Sequence, residues 1–287
     1  MAHHAFDKGI CHFDLANNYG PPYGTAEENF GLLMERSFRP YRDEMFISSK
    51  AGWDMWPGPY GNWGSRKYLM ASLDQSLRRM KLDYVDIFYS HRWDPETPLE
   101  ETMQALVDIV RQGKALYAGL SRYPAEQAKA AFQYLRAHDV PCLLYQDRFN
   151  IMDRAPQQKG LIDLCVENGS GFIAFSPLQQ GLLTSRYLNG IPADSRMARG
   201  TSLKEEVLTP VMHQALGKLD DLARQRGQSL AQMALSWLLS DVRVTSVIIG
   251  TSSVAQLEDN LKSLGNCHFS ADELRLIEDI SSAIQLK

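Results

Sequence analysis

Apolar residues fall in short dense runs that stop abruptly at polar residues, and longer stretches with apolar positions every three or four residues separate them. The runs are GICHFDLA (9–16), EMFISSKAG (44–52), YVDIFYSHR (84–92), ALYAGLSRY (115–123), CLLYQDRFN (142–150), GFIAFSPL (171–178) and VTSVIIGTS (244–252). Their β-branched and aromatic content predicts seven strands. Between them, SRKYLMASLDQSLRRMKL predicts a helix capped by Ser65, and PLEETMQALVDIVRQGK predicts one that begins after Pro98 with acids in its first turn. Strand and helix alternate almost to the end of the chain. That order predicts parallel strands joined by right-handed crossovers.

Seven strands are one short of the closed barrel of eight that this alternation builds. The opening AHHAFDKG reads as the tail of a helix with its C-terminal glycine, so a further strand is expected upstream of it. The expected fold is α/β, a (β/α)8 TIM barrel whose first strand is missing from this sequence. A single domain over 1–287 is expected, since no repeat or linker interrupts the alternation. One irregular stretch, TSRYLNGIPADSRMARGTSLKEEVLTP (184–210), is long enough for a functional loop.

Composition narrows the partners. No apolar run is long enough to cross a bilayer. A net charge of −4, with lysines and arginines scattered, opposes general affinity for nucleic acid or an anionic membrane. The four cysteines, Cys11, Cys142, Cys165 and Cys267, have no CxxC spacing and read as reduced, mostly core residues. The start MAHHAFDKGI has the features of neither a secretory signal nor a transit peptide, so a cytoplasmic location is expected.

The polar residues that end the runs are Asp14, Lys50, His91, Ser121 with Arg122, Gln146, Ser176, and Gly250 with Thr251 and Ser252. In a parallel barrel all these ends share one rim, where enzymes of this architecture build their sites. Taken singly, Asp14 reads as a turn cap, Lys50 as a solvated strand end and His91 as a satisfied core histidine. Taken together, an acid, a lysine and a histidine arrive from three successive strands with Tyr19 in the first adjoining loop. Such a cluster shifts pKa values. A metal-dependent hydrolase built on His12, Asp14 and His91 would need further ligands, yet the other strand ends supply serine, glutamine and glycine, so no metal is expected.

The blocks HFDLANNYG, SSKAG, YSHR, GLSRY, the glutamine of LLYQDRFN, FSPLQQGLLTSRY and IIGTSSVAQLEDNL together resemble the aldo-keto reductase superfamily across essentially the whole chain. NYGPPYGTAEENFG, AGWDMWPGPYGNWGSRKYL and GQSLAQMALSWLL are similar to the branch containing bacterial L-glyceraldehyde 3-phosphate reductases and the potassium-channel β subunits. The resemblance implies Tyr19 as general acid, Lys50 as its activator, Asp14 as the partner of Lys50 and His91 as the group that orients the carbonyl. The chemistry is consistent, since a free tyrosine titrates near 10 and a nearby ammonium stabilises a phenolate.

The same resemblance implies NADPH/NADP+ as cofactor. No GxGxxG follows a strand, so a Rossmann arrangement is not supported. Ser121, Arg122 and Gln146 match the nicotinamide contacts, and Ser176, Pro177, Leu178 and Gly181 match the loop beside the pyrophosphate. Toward the adenosine end stand Gly250, Ser252, Gln256, Asp259 and Asn260, with Asp259 where relatives more often have glutamate. Arg186, Ser195 and Arg196 lie in the long loop, and Arg196 matches a clamp for the 2′-phosphate, which favours NADPH over NADH. Trp53, Trp56 and Tyr60 of GWDMWPGPYGNWG, which follows Lys50 directly, read as a mixture of rim packing and substrate-pocket wall. Trp237 in QMALSWLLSD reads as core. The implied activity is reduction of small aldehydes such as L-glyceraldehyde 3-phosphate or methylglyoxal by a homo-oligomer of four or more chains. The alternative is a cofactor-binding, redox-sensing regulatory subunit similar to the channel β subunits.

Overall fold

Every apolar run becomes a strand, shorter than the run because the polar ends leave the ladder. In a computed structural model, which describes residues 1–188, 190–193, 195, 197–198, 200 and 204–284, the contacts of the chain divide it into two units. The first comprises Ala2–Gln146 with Asp163–Gly171, and the second Asp147–Ile162 and Phe172–Lys287 together with Met1.

The first unit opens with helix α1 (Ala2–Asp7), closed by Gly9 at a φ of 86°, the left-handed conformation of a helix-ending glycine. Then come β1 (His12–Asp14), α2 (Thr25–Leu33), β2 (Phe46–Ala51), α3 (Arg66–Met80), β3 (Val85–Ser90), α4 (Leu99–Arg111), β4 (Ala115–Ser121), α5 (Ala125–Ala137) and β5 (Cys142–Arg148), whose last two residues belong to the second unit. Each strand pairs in parallel with the one before it, with Asp14 opposite Ser48, Lys50 opposite Tyr89 and Ser121 opposite Gln146. All six residues of β3 are buried, as expected of a parallel strand covered on both faces. Gly119 makes room for its neighbour there: a Cβ at this position would meet Cδ1 of Tyr89 at 2.4 Å.

Helices are attached to these strands by caps and buried charges. Ser65 Oγ accepts a hydrogen bond from Tyr68 N at 3.3 Å and starts α3, and Pro98 precedes α4 with Glu100 and Glu101 in the first turn. Glu27 of α2 is fully buried and accepts from Ser49 Oγ of β2 at 2.5 Å and from Arg79 Nη2 of α3 at 2.7 Å. Gly31 lets α2 close on α3, since a Cβ there would meet Arg79 O at 2.1 Å. Arg42 pairs with Asp86 at 2.9 Å, and the same carboxylate accepts from Ile47 N at 2.7 Å.

The second unit contains α6 (Ala155–Gln158), the start of α7 (Leu161–Glu167), nearly all of β6 (Gly171–Phe175), α8 (Pro210–Gln225), α9 (Leu230–Ser240), β7 (Val244–Val247), α10 (Val254–Leu261) and α11 (Ala271–Ser282). Strands β6 and β7 pair in parallel, with Ala174 opposite Val247. Trp237 is buried against Phe149, with ring centroids 5.4 Å apart, and under the Arg154 guanidinium, which pairs with Glu278. Capping boxes at Ser229 with Gln232 and Ser270 with Glu273 open α9 and α11. The stretch 184–210 contains short turns at Ser185–Tyr187 and Glu205–Val207, while Arg196 lies outside the described residues. All four cysteines are free; Cys142 and Cys165 are buried and Cys11 is exposed. Among the described residues no helix is long and apolar enough to cross a membrane.

Candidate active site

The loop after β1 is tied to β2 before any side chain is considered. Leu15 N donates to Ser48 O and Asn17 N to Lys50 O, each at 2.9 Å, so the first two strand ends advance together. Asn17, fully buried, donates from Nδ2 to Tyr68 OH at 3.0 Å and to Ser72 Oγ at 3.3 Å, which anchors the loop on α3. Gly20 then turns where a side chain has no room, since its Cβ would lie 1.9 Å from Pro22 O. Tyr19, between these two fixed points, is 38% exposed. A fixed backbone therefore presents a partly open phenol.

Beneath it, Lys50 is fully buried. Its Nζ donates to Asp14 Oδ2 at 2.5 Å and to Leu15 O at 2.8 Å, and lies 5.2 Å from the Tyr19 ring centroid and 5.6 Å from that of Tyr89. Burial opposes its charge, but the Asp14 carboxylate and Tyr19 outweigh that cost and raise the ammonium's pKa above its ordinary value. Asp14 is held in turn: Oδ1 accepts from Ser48 Oγ at 2.7 Å and from Gln146 Nε2 at 3.2 Å. His12 continues this chain, with Nε2 3.0 Å from Ser48 Oγ, and its burial lowers its pKa.

His91 follows β3, its N–H donating to Ala51 O at 2.9 Å. Its ring stands edge-on to Tyr19 at 6.1 Å and to Trp53 at 6.2 Å between centroids. Burial, and after it the charges of Lys50, Arg122 and Arg92, hold its pKa well below the usual histidine value. The imidazole is neutral at neutral pH, and its Nδ1 has no hydrogen-bond partner among the described residues. Gly52 is required beside it, since a Cβ there would come within 2.9 Å of His91 Cβ.

Of the other residues expected at the site, Ser121, Arg122 and Gln146 close the same unit. Ser121 is fully buried, its Oγ without a partner among the described residues, and Arg122 is exposed in a left-handed backbone conformation, φ 55°, its N–H donating to Gln146 O at 3.2 Å. Trp53 faces His91, but Trp56 packs on Tyr68 at 5.1 Å, and Tyr60 is exposed under the Lys67 ammonium at 4.3 Å. Only Trp53 of that trio lines a cavity of about 300 Å³, together with Trp63, Arg92, Trp93, Pro95, Arg122 and Pro124. Arg92 and Trp93 are residues that strand-end reasoning passed over, although they follow His91 directly in the sequence. Among the described residues, no three His, Cys, Asp or Glu side chains come together as metal ligands.

The second unit arranges the remaining candidates on its own loops. Ser176 and Gly181 have left-handed φ of 52° and 102°, with Pro177 buried and Leu178 half-buried between them. Asn150, fully buried and not anticipated, steadies that turn by donating from Nδ2 to Ser176 O and Gln179 Oε1, each at 3.0 Å. Arg186 is exposed, whereas Ser195 is buried and its Oγ accepts from Ala198 N at 3.1 Å. Beyond the exposed Gly250, Ser252 N and Oγ both donate to Gln256 Oε1, at 2.9 and 3.2 Å. Asp259 is occupied by Gln232 Nε2 at 2.7 Å, while Asn260 is buried and its Nδ2 has no partner among the described residues.

The profile of the aldo/keto reductase family matches residues 1–282. The chain belongs to that family. Its fold class is accordingly the (β/α)8 barrel, of which seven strands are present among the described residues. This aldo/keto reductase is 57% identical over 278 residues to L-glyceraldehyde 3-phosphate reductase of Escherichia coli (strain K12), a match covering 96% of this chain and 80% of the relative. It is 34% identical over 285 residues to a probable voltage-gated potassium channel subunit beta of Oryza sativa subsp. japonica, covering 98% and 85%. The corresponding Arabidopsis thaliana protein is 35% identical over 268 residues, covering 90% and 79%. The chain is thus an enzyme of a carbonyl-reducing family.

Proposed function

We propose that this aldo/keto reductase reduces short aldehydes with NADPH, with Tyr19 as general acid. The observation that carries the reading is the fully buried Lys50, whose ammonium is shared between Asp14 and Tyr19. A carbonyl oxygen accepting a hydrogen bond from Tyr19 also lies within reach of His91, whose neutral imidazole offers an N–H without adding a competing charge. As negative charge develops on that oxygen, Tyr19 gives up its proton, and Lys50 stabilises the phenolate left behind. Asp14 keeps Lys50 charged and fixed, while Ser48 and Gln146 fix Asp14.

The nicotinamide, when bound, supplies the hydride. The residues fit such a group: among the described residues, buried Ser121 Oγ in the first unit and Asn260 Nδ2 in the second have no hydrogen-bond partner, as expected of groups that bond to a cofactor. Ser121, Arg122 and Gln146 would hold the nicotinamide. Ser176, Pro177, Leu178, Gly181, Arg186 and Ser195 would hold the pyrophosphate side, with Gly250, Ser252, Gln256 and Asn260 toward the adenosine. Asp259, already bonded to Gln232, would act through that bond rather than directly. Arg196 would recognise the 2′-phosphate.

The relative's name suggests L-glyceraldehyde 3-phosphate as substrate, with methylglyoxal as an uncharged comparison. We take the protein to be a cytoplasmic homo-oligomer of at least four chains. Likeness to the channel β subunits supports a second reading, a redox-sensing subunit that turns over slowly. Steady-state assays with short aldehydes and each nicotinamide cofactor decide between them: rapid multiple turnover is expected. Less than one turnover per bound cofactor would overturn the enzymatic reading. Arg196→Ala is expected to weaken NADPH far more than NADH, and equal weakening would remove the assigned role.

A further inference from the structure

The Asp14 carboxylate is held from a side that the reaction does not use. His12 and Asp14 are two positions apart on β1, so their side chains leave the same face of the strand, and Ser48 of β2 lies opposite Asp14. Ser48 is fully buried, and its Oγ stands between the two, 2.7 Å from Asp14 Oδ1 and 3.0 Å from His12 Nε2. Counting protons fixes the direction of this chain. A carboxylate only accepts, so the single hydroxyl proton of Ser48 goes to Asp14. The hydroxyl oxygen then has only lone pairs to offer His12. Burial lowers the His12 pKa, so at neutral pH the ring holds one proton, and that proton must sit on Nε2. The other groups facing the ring are the Phe46 ring of β2, edge-on at 5.2 Å, the Lys50 ammonium, and Asp86 of β3, which is already paired with Arg42 at 2.9 Å.

We propose that His12 is a positioning residue for the reduction: donating through Ser48, it fixes the Asp14 carboxylate and, through it, the Lys50 ammonium beneath Tyr19. This rests on the reading of Tyr19 as general acid and adds to it a residue that acts only through Ser48. Each donor in such a chain polarises the next, so the imidazole N–H strengthens the bond from Ser48 to the carboxylate. Gln146 Nε2 also donates to Asp14 Oδ1, but at 3.2 Å, so the serine is the firmer hold on that oxygen while Oδ2 stays with Lys50 Nζ at 2.5 Å.

The test pairs kinetics with a readout that needs no turnover. His12→Phe keeps a ring against Phe46 but has no N–H, and kcat is expected to fall about 3- to 10-fold, the size that one hydrogen bond supports, with KM for the aldehyde nearly unchanged. The alkaline limb of its pH–rate profile should move to higher pH, since a less firmly held cation stabilises the phenolate less. In nitrogen-labelled protein the Lys50 ammonium signal, assigned by its loss in Lys50→Met, should exchange its protons with water faster in His12→Phe by a similar factor of about 3 to 10. His12→Gln, whose amide nitrogen has the reach of Nε2, is expected to restore most of each value. Ser48→Ala cuts the chain in the middle, and adding His12→Phe to it should cost nothing more. Additive losses would overturn the proposal, as would an exchange rate and a pH profile that His12→Phe leaves unmoved, or a loss that Gln fails to repair. If the wild type turns over no aldehyde, the reductase reading fails by itself, and ammonium exchange in the same variants still decides the part played by His12. A ring-nitrogen spectrum of the wild type, assigned by its loss in His12→Gln, is expected to place the proton on Nε2; a proton on Nδ1 would overturn the proposal even if His12→Phe failed to fold.

Discussion

Two of the buried ion pairs in the first unit contrast with each other. Glu27 and Arg79 spend every contact inside the protein: the carboxylate also takes the Ser49 hydroxyl, and Arg79 also bonds Ser76 Oγ at 3.3 Å. Asp14 and Lys50 are equally deep, but the ammonium looks out past its partner to the ring of a half-open tyrosine, and the nearby His91 keeps a nitrogen without a partner among the described residues. A closed pair locks α2 and α3 onto β2. The open pair is the one to which the proposed mechanism gives a partner outside the chain. Burial alone does not mark a functional charge, since breaking either pair strands a desolvated ion.

Substitutions at the two pairs should separate these roles. The largest effect is expected at Tyr19→Phe, which keeps the ring but removes the proton donor: kcat should fall about 10² to 10⁴-fold in a chemistry-limited step, with the thermal midpoint nearly unchanged. A wild-type rate would mean that the open pair has no catalytic outlet. Glu27→Ala should instead cost about 3 to 5 kcal/mol of stability, read from denaturant midpoints, because Arg79 is left without its counter-charge. A loss below about 1 kcal/mol would show that water reaches the closed pair.

Asp14→Asn is an intermediate case. It removes the carboxylate that offsets the burial cost of Lys50, so the pH–rate profile should move while about a tenth of the activity remains. An unmoved profile would detach Asp14 from the catalytic charge. Lys50 itself, with its pKa raised, contributes stability that is complete at neutral pH and lost only as pH rises through that raised value.

The histidines have the opposite sign. His91 and His12 both have lowered pKa values, so on acidification the unfolded chain takes up protons that the folded chain refuses. Their contribution is complete above about pH 6.5 and shrinks as pH falls below it, by up to about 1.4 kcal/mol per pH unit for each group. His91→Asn should flatten the fall in thermal midpoint between pH 6.5 and 5, and an unchanged slope would remove the neutral-imidazole account. The smallest effect is expected at Lys67→Ala, on the exposed Tyr60 ring, where about 0.5 kcal/mol or less should be lost.

Much of this was legible in the chain. The seven strands follow from dense apolar runs with abrupt polar ends, and Asp14, Lys50 and His91 could be placed at the ends of neighbouring strands because parallel strands put their ends on one rim. Ser65 and Pro98 marked helix starts through local chemistry. Trp56 and Tyr60 were harder: they share a segment and a residue type with Trp53, yet one packs on Tyr68 and the other lies in the open, because an aromatic side chain goes where a distant helix leaves space.

What the sequence by itself determined is thus the order and type of elements and the residue types at the strand ends, since both depend on periodicity and on neighbours within a few positions. The tertiary structure alone decided the pairings. Glu27 meets Arg79 across 52 positions, Asp14 meets Gln146 across 132, and Arg92 meets Asn62 across 30 while lying between Trp53 and Trp63. No local pattern encodes which distant partner arrives, and a charge's protonation is set by the sum of its burial and every charge brought near it. That is why a histidine visible in the sequence became a neutral one only once the fold had buried it and brought three cations around it.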